Sequence, residues 1–187
     1  MKYGIFSDIH GHINLLEKLN DKFKEEKVDK GICLGDIVHN ANSFDENRCI
    51  TLMRENKYYS LRGNHDIEAT ETYDESKFFE ENIDYLRKLP RMIQLGDILF
   101  FHNSLGDEFN IEREFEALKR HEAKIGFFGH NHKRIIYRKR EFIEELDNDR
   151  FYFGGGLYLI NPGALWKEGR YGIYHVTKHF FEFKQLS

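Results

Sequence analysis

Five short segments rich in Asp, Asn and His each follow an apolar run of this 187-residue chain. They are Asp8-Ile9-His10, Gly35-Asp36, Gly63-Asn64-His65-Asp66, His102 and Gly129-His130-Asn131-His132. Together they offer carboxylate oxygens, an amide oxygen and imidazole nitrogens, with no thiolate among them. Such a mixed donor set suits Mn²⁺, Fe²⁺, Zn²⁺, Co²⁺ or Ni²⁺ better than Mg²⁺ or a structural cysteine–zinc site. The residue types therefore predict a site for divalent metal ions.

The segments can meet only if the elements that precede them end at one edge of the molecule. Apolar runs at 2–6, 31–34 and 58–61 are predicted strands. Helices are predicted between them, one over about 45–55 and one from about Asn14, whose spacing to Glu17 is typical of a capping box. Strands that alternate with helices indicate a parallel sheet with crossover connections. Ligands bind beyond the carboxyl ends of such strands, so we expect the segments at one rim.

The second half of the chain changes from crossovers to hairpins. A helix over about 80–89 ends at Pro90, and a helix over 111–120 precedes a strand at 125–128. Further strands are predicted at 91–95, 98–101, 134–137, 151–153, 157–160, 172–176 and 180–183, with turns at 154–156 and 161–163. No repeat or linker interrupts this order. Residues 1–187 are therefore predicted to form a single mixed α/β domain.

Composition limits the partners that the protein can have. The chain carries a net charge of −4, with acids and bases interspersed, so it offers no global attraction to nucleic-acid phosphates. The basic cluster over 133–140 is offset by nearby acids, which favours a solvated strand edge over a nucleic-acid patch.

No apolar run approaches the ~20 residues that a membrane-spanning helix needs. The apolar stretch at the start of the chain is too short for a signal peptide, so we expect a cytoplasmic protein. Cys33 and Cys49 are expected to be buried and reduced.

In order and spacing, the five segments resemble the signature of the calcineurin-like metallophosphoesterase superfamily, and every metal-ligand position of that pattern is filled. Asn161-Pro162-Gly163 is similar to a turn common in small bacterial and archaeal phosphodiesterase-type members. The resemblance implies two mixed β-sheets packed as a sandwich, flanked by helices, with the site where the loops of the sheets meet. It also implies dinuclear metal-dependent hydrolysis of phosphate esters, with manganese as the first choice of metal.

The resemblance implies a role for each residue of the segments. Asp8, His10 and His132 would bind one metal, and Asp36 would bridge to the second. The second metal would be completed by three further residues, which are Asn64, His102 and His130. A pair of metal ions ~3.5–4 Å apart can bind a phosphoryl group and activate a water for in-line attack.

Residues beside the ligands are expected to move protons or to contact the substrate. His65 follows a ligand and is left free by the pattern, so it is the expected proton donor to the leaving oxygen. Asp66 is expected to orient that imidazole. Substrate contacts are predicted from side chains that lie in or near these loops and match no ligand position, which are His12, His39, Asn40 and Arg62.

The class of phosphate ester is the open choice within the family. Protein Ser/Thr phosphatases and their diadenosine tetraphosphatase relatives follow the Gly-Asp motif with an arginine that clamps phosphate, whereas residues 37–41 here contain none. A monoanionic diester needs less positive charge than a dianionic monoester, so a phosphodiesterase is favoured. His65 stands where small phosphodiesterase-like members often carry Cys. This keeps open the phosphomonoesterases, whether protein Ser/Thr phosphatase-like or dinucleoside polyphosphate hydrolase-like.

Two further classes share this pattern. A scaffold subunit that retains the fold without catalysis would show substitutions among the metal ligands, and the sequence shows none. A family nuclease would generally add domains and a basic groove, which this short acidic chain lacks. We therefore expect a small phosphorylated substrate and no membrane or nucleic-acid partner. The sequence leaves open a homo-oligomer.

Overall fold

The computed structural model describes residues 1–39, 44–71, 78–103, 109–138, 141–143 and 150–187. Its strands are β1 Lys2–Phe6, β2 Lys30–Cys33, β3 Tyr59–Ser60, β4 Met92–Leu95, β5 Ile98–Phe101, β6 Ile125–Phe128, β7 Arg134–Arg138, β8 Glu141–Ile143, β9 Arg150–Tyr152, β10 Tyr158–Pro162, β11 Arg170–His175 and β12 Phe180–Gln185. Its helices are α1 Ile13–Glu25, α2 Phe44–Glu55, α3 Asn64–Glu71, α4 Glu80–Lys88, α5 Ile111–Arg120 and α6 Leu165–Glu168. Among the described residues, no helix combines the length and apolar character that crossing a bilayer requires.

The strands form two mixed sheets of six strands each. The first sheet has the order β3-β2-β1-β11-β12-β9, and the second has the order β4-β5-β6-β10-β7-β8. Strands β1, β2 and β3 are parallel, as are β5, β6 and β10, and the remaining pairs are antiparallel. The predicted fold class, two mixed sheets flanked by helices, is confirmed.

Alternating side chains along the strands divide the core into layers. Ile5 and Phe127 belong to the cluster that fills the space between the sheets, whereas the neighbouring Phe6 and Phe128 face outward. Phe6 packs with residues of α1, α2 and α4, and Phe128 packs with residues of α5. The period of two follows from strand geometry, and it leaves both sheets covered by helices. Cys33 and Cys49 are buried free thiols, as expected.

Some local predictions were wrong. Helix α1 starts at Ile13 with His12 as its N-cap and no side-chain cap bond, so the capping box predicted at Asn14 does not form. Residues 64–71 form helix α3, which the sequence analysis did not predict. The Asp66 carboxylate supports the start of this helix, because it accepts the Gly63 N–H at 2.9 Å and satisfies a free amide there. The short helix α6 and strand β8 were also not predicted.

Candidate metal centre

The seven predicted ligands lie where the carboxyl ends of the parallel strands of both sheets meet. Asp8 and His10 follow β1, Asp36 follows β2, and Asn64 follows β3 as the first residue of α3. The remaining ligands follow strands of the second sheet, which are His102 after β5 and His130 and His132 after β6. The His102 Nδ1–H donates to the carbonyl of Leu34 over 2.9 Å, which joins the two sheets at this rim.

One group of side chains surrounds Asp8. The ligand atoms of Asp8, His10 and His132 all lie within 4.8 Å of one another. Nε2 of His132 lies 3.3 Å from Oδ1 of Asp8 and 3.3 Å from Nε2 of His10. This is the set that the sequence analysis assigned to the first metal.

A second group surrounds Asp36. Its Oδ2 lies 3.2 Å from Nε2 of His102 and 3.9 Å from Nε2 of His10, so one carboxylate reaches both groups. Oδ1 of Asn64 lies 3.1 Å from Nε2 of His102 and 3.0 Å from Nδ1 of His130. All seven side chains therefore converge in the arrangement expected of two neighbouring sites, while their role as metal ligands stays a prediction.

The chemistry of these donors fits divalent cations. Asp8 is fully buried, and neither of its carboxylate oxygens accepts a hydrogen bond from the described residues. A carboxylate without hydrogen bonds in the interior is unfavourable unless a cation compensates it. His102 gives its Nδ1–H to a carbonyl, so the lone pair of its Nε2 faces the oxygens of Asp36 and Asn64. Only a proton or a metal ion at Nε2 makes this contact favourable.

Electrostatics set the protonation states at this rim. Burial lowers the pKa of His10 to about 4, so its imidazole is neutral and able to bind a metal at pH 7. Burial also disfavours a charged His102, yet the neighbouring Asp36 carboxylate outweighs it and raises the His102 pKa to about 9. The same contact lowers the pKa of Asp36 to about 2, against the effect of burial. A metal ion therefore competes with a proton for Nε2 of His102.

We expect metal binding to release about one proton from His102 and to strengthen as pH rises from 6 to 8. His102 is protonated below its pKa of about 9 and must lose that proton to bind a cation. Affinity should therefore rise by up to about tenfold per pH unit, since one proton is exchanged. Calorimetric titration with Mn²⁺ at pH 7, in buffers of different ionisation enthalpy, measures the proton count. No released proton would contradict the protonation state inferred here.

The backbone at the rim is strained. Of nine non-glycine residues with positive φ in the described chain, five are predicted ligands: Asp8, His10, Asp36, His130 and His132. Left-handed backbone is uncommon for residues with a Cβ, although Asp and His adopt it more readily than most. Strained conformations cluster at functional sites, where the surrounding structure holds them. Gly63 allows the backbone at Asp36 to approach closely, because a Cβ at position 63 would overlap Oδ1 and the backbone nitrogen of Asp36.

His65 and His39 lie beside the first group. The rings of His65 and His39 are each 5.0 Å from the ring of His10 and 4.8 Å from one another. Nδ1 of His65 donates to the His39 carbonyl over 3.1 Å, and Glu68 lies 3.6 Å from the same nitrogen. The atoms of His10, His39 and His65 could also hold a cation, so this group is a third cluster of potential ligands.

The role predicted for Asp66 differs from its contacts. Its buried carboxylate accepts hydrogen bonds of 2.9 to 3.2 Å from the backbone amides of Asp36, Ile37, Val38 and Gly63. Asp66 therefore organises the backbone that presents Asp36, and it does not orient the imidazole of His65. Glu68 is the carboxylate that lies beside that ring.

Of the four predicted substrate contacts, two lie near the site and one turns away from it. His12 is exposed at the rim, and His39 lies against His10, so both remain near the site. The guanidinium of Arg62 instead turns to α3, where it donates to Thr70 and pairs with Glu71 at 3.7 Å. Arg62 is thus not available as a phosphate clamp. Asn40 lies outside the described residues.

Trp166 is a rim residue that the sequence analysis missed. Its ring stacks on His12 at 5.8 Å and meets the rings of His10 at 5.9 Å and His132 at 5.8 Å edge-on. Its backbone N–H donates to the Asp8 carbonyl over 3.0 Å. The available signal was that the chain's single Trp closely follows Asn161-Pro162-Gly163. Asn161 itself donates to the carbonyl of Gly129 over 2.7 Å and thereby fixes the loop that carries two ligands.

The sandwich fold and the clustered Asp, Asn and His side chains define a phosphoesterase class. The chain belongs to the calcineurin-like phosphoesterase superfamily, whose domain model matches residues 1–179. It is 26% identical over 205 residues to an uncharacterized protein of Methanocaldococcus jannaschii, a match that covers 97% of this chain and 83% of the relative.

Solved structures share the fold. A metallophosphoesterase from Sphaerobacter thermophilus has a TM-score of 0.84 and 23% identity, over 100% of this chain and 88% of that one. An archaeal phosphodiesterase has a TM-score of 0.64 and 22% identity, over 100% of both chains. Vps29 from Entamoeba histolytica, crystallised with Zn²⁺, has a TM-score of 0.61 and 12% identity, over 100% of this chain and 98% of that one. At these identities the likeness concerns the fold alone.

Proposed function

We propose that the protein is a dinuclear metal-dependent phosphodiesterase, with Mn²⁺ as the first choice of metal. The observation that carries the proposal is Asp36, whose carboxylate reaches both groups of donor side chains. The buried Asp8 carboxylate, which accepts no hydrogen bond from the described residues, supports a cation beside it. Two divalent ions held there would supply charge stabilisation for the phosphoryl oxygens and an acidified water.

The residues around the two groups have separate tasks. His65 is exposed enough to meet a substrate and lies next to His10, so it can give a proton to the leaving oxygen. The His39 carbonyl accepts the Nδ1–H of that ring, and the Glu68 carboxylate lies 3.6 Å from the same nitrogen. His12 and Trp166 form an aromatic wall at the first group, which can exclude water and limit the substrate's orientation.

The charge around the rim favours a diester. The one arginine predicted to contact the substrate, Arg62, donates to Thr70 and pairs with Glu71 on α3. A phosphomonoester brings two negative charges and gains more from a guanidinium than a diester does. A phosphomonoesterase is the second candidate, because an imidazole rather than a thiol stands at position 65. A scaffold role is disfavoured, since all seven ligand positions retain a donor side chain.

We expect the Mn²⁺-loaded protein to prefer bis-p-nitrophenyl phosphate to p-nitrophenyl phosphate in kcat/KM. The reason is that Arg62 is held on α3 by Thr70 and Glu71 and does not reach the second charge of the monoester. Steady-state assays on both esters measure the ratio. Protein carrying Asp36→Asn, purified in parallel, controls for contaminating phosphatases. A monoester preference of tenfold or more would reverse the order of the two candidates, and inactivity on both esters would favour the scaffold.

A further inference from the structure

A cleft of about 590 Å³ opens beside the metal centre, lined by residues of β7, of the loop before it and of the start of β11. Asn131 and Lys133 line it, and each is a direct chain neighbour of the predicted ligand His132. Neighbouring Cα atoms are 3.8 Å apart, so the cleft borders the rim where a phosphoryl group would bind. Its volume is in the range typical of small-ligand sites, ~300–1,000 Å³.

The charged side chains that line the cleft among the described residues are all basic. They are Lys133, Arg134 and Arg170, in a protein whose net charge is −4. Lys133 is exposed, the Arg134 guanidinium lies 4.3 Å from the centre of the Phe183 ring, and Arg170 pairs with Glu168. The Arg134 guanidinium thus lies against the core between the sheets, and Glu168 offsets Arg170. The exposed Lys133 therefore supplies the positive charge that complements an anionic ligand.

A glycine makes room for one of these cations. Gly163 has a φ of +90°, and a Cβ there would lie 2.6 Å from Cδ of Arg170. Arg170 therefore packs across the turn that follows Asn161 and Pro162. Asn161 of the same turn donates to the Gly129 carbonyl and so fixes the loop that carries His130 and His132. One turn therefore contacts both the cleft and the metal centre.

The opposite wall of the cleft is aromatic. Phe109 and Tyr137 line it, with parallel rings 6.0 Å apart, and Phe109 also stacks on Phe128 at 4.8 Å. Both lining rings are partly exposed. An aromatic surface beside clustered cations is complementary to a ligand that joins a flat ring to a phosphate.

We propose that this cleft binds a nucleoside monophosphate unit, so that the substrate is a short 5′-phosphorylated oligonucleotide such as a dinucleotide. The proposal rests on the phosphodiesterase function above. The base lies against Phe109 and Tyr137, and the terminal phosphate meets Lys133 and Arg170. In the reaction, water adds its oxygen to the phosphorus of the internal diester and loses one proton to bulk solvent, while the bond from phosphorus to the leaving ribose oxygen breaks. The leaving oxygen takes a proton from His65.

Binding to metal-free protein tests the cleft without any hydrolysis. Adenosine 5′-monophosphate should bind at least fivefold more tightly than ribose 5-phosphate, because only the nucleotide carries a base that can stack on the aromatic rings. Lys133→Gln should weaken binding of the nucleotide about threefold to tenfold, since one charge-assisted contact is lost. Lys124→Gln is the matched control, because Lys124 is also exposed but precedes β6 at its other end. Equal binding of the two ligands, or no effect of Lys133→Gln, would overturn the proposal.

Hydrolysis then tests whether the cleft serves the proposed reaction. With Mn²⁺, the 5′-phosphorylated dinucleotide pApA should be hydrolysed about tenfold more efficiently than ApA, and Lys133→Gln should remove most of this difference. Turnover of bis-p-nitrophenyl phosphate, which has no second phosphate, should change less than twofold in the same variant. Nucleotide binding without any diester hydrolysis would reject the phosphodiesterase and retain the cleft. Hydrolysis of pApA and ApA at equal rates would reject the cleft and retain the phosphodiesterase.

Discussion

Asp36→Asn should leave the protein with less than one bound metal and lower kcat/KM for a phosphodiester by about three orders of magnitude. One carboxylate of Asp36 reaches His10 in the first group and His102 in the second, so a neutral amide weakens both sites together. The metals supply several kcal/mol of transition-state stabilisation, and each ~1.4 kcal/mol is a factor of ten in rate. Elemental analysis after Mn²⁺ loading and desalting gives the metal content, and steady-state assays give the rate.

Single-site variants separate bridging from a general loss of the fold. His132→Ala should empty mainly the first site and His102→Ala mainly the second, each retaining about one metal. Asp21→Asn is the matched surface control, because Asp21 pairs only with Lys24 on α1 among the described residues. Its metal content and rate should equal those of the wild type. Two metals with full activity in Asp36→Asn would show that Asp36 does not bridge.

His65→Asn should keep both metals and slow only the substrates whose leaving group needs a proton. His65 lies 5.0 Å from the ring of His10 and is partly exposed, which suits a proton donor at the edge of the metal groups. Loss of a general acid typically costs about 10²–10⁴-fold when an alkoxide leaves. Dinucleotides should therefore lose activity in this range. Esters of p-nitrophenol, whose anion departs unprotonated, should lose much less.

The comparison needs metal content measured beside kcat for both substrate types. Equal losses on both substrates with metals retained would mean that His65 stabilises the phosphoryl charge. Lost metal would make His65 a ligand, which the cluster of His10, His39 and His65 allows. The backbone N–H of residue 65, which donates to Oδ1 of Asp36 over 3.0 Å, is retained in this variant.

The gathering of the seven ligands was predictable because it depends on strand ends. Asp8, Asp36 and His130 each follow a short apolar run, and neighbouring parallel strands bring their carboxyl ends to one rim. The apolar runs that predict these strands are only a few residues long, so the sequence alone shows where each strand ends. The class with two sheets was implied by the resemblance to the superfamily and not by this pattern.

Contacts between distant segments were not predictable in this way. The carboxylate of Asp66 accepts hydrogen bonds from backbone amides some thirty residues earlier. Every residue except proline has a backbone N–H, so the sequence does not show which of them will be the donors. Trp166 reaches His10 and His12 across the two sheets, and the direction of Arg62 depends on its contacts with the second turn of α3. These positions are set by tertiary packing, which local propensity does not encode.

The left-handed backbone of five predicted ligands has a consequence for stability. Such a conformation costs a residue with a Cβ about 1 kcal/mol, and five of them cost on the order of 5 kcal/mol. A domain of this size is stable by only ~5–15 kcal/mol, so this is a large share. Glycine at these positions would relieve the strain and remove the donor atoms at once. The donor atoms of the proposed metal site are therefore held in place at a cost to the free energy of unfolding, as is common where a functional arrangement conflicts with stability.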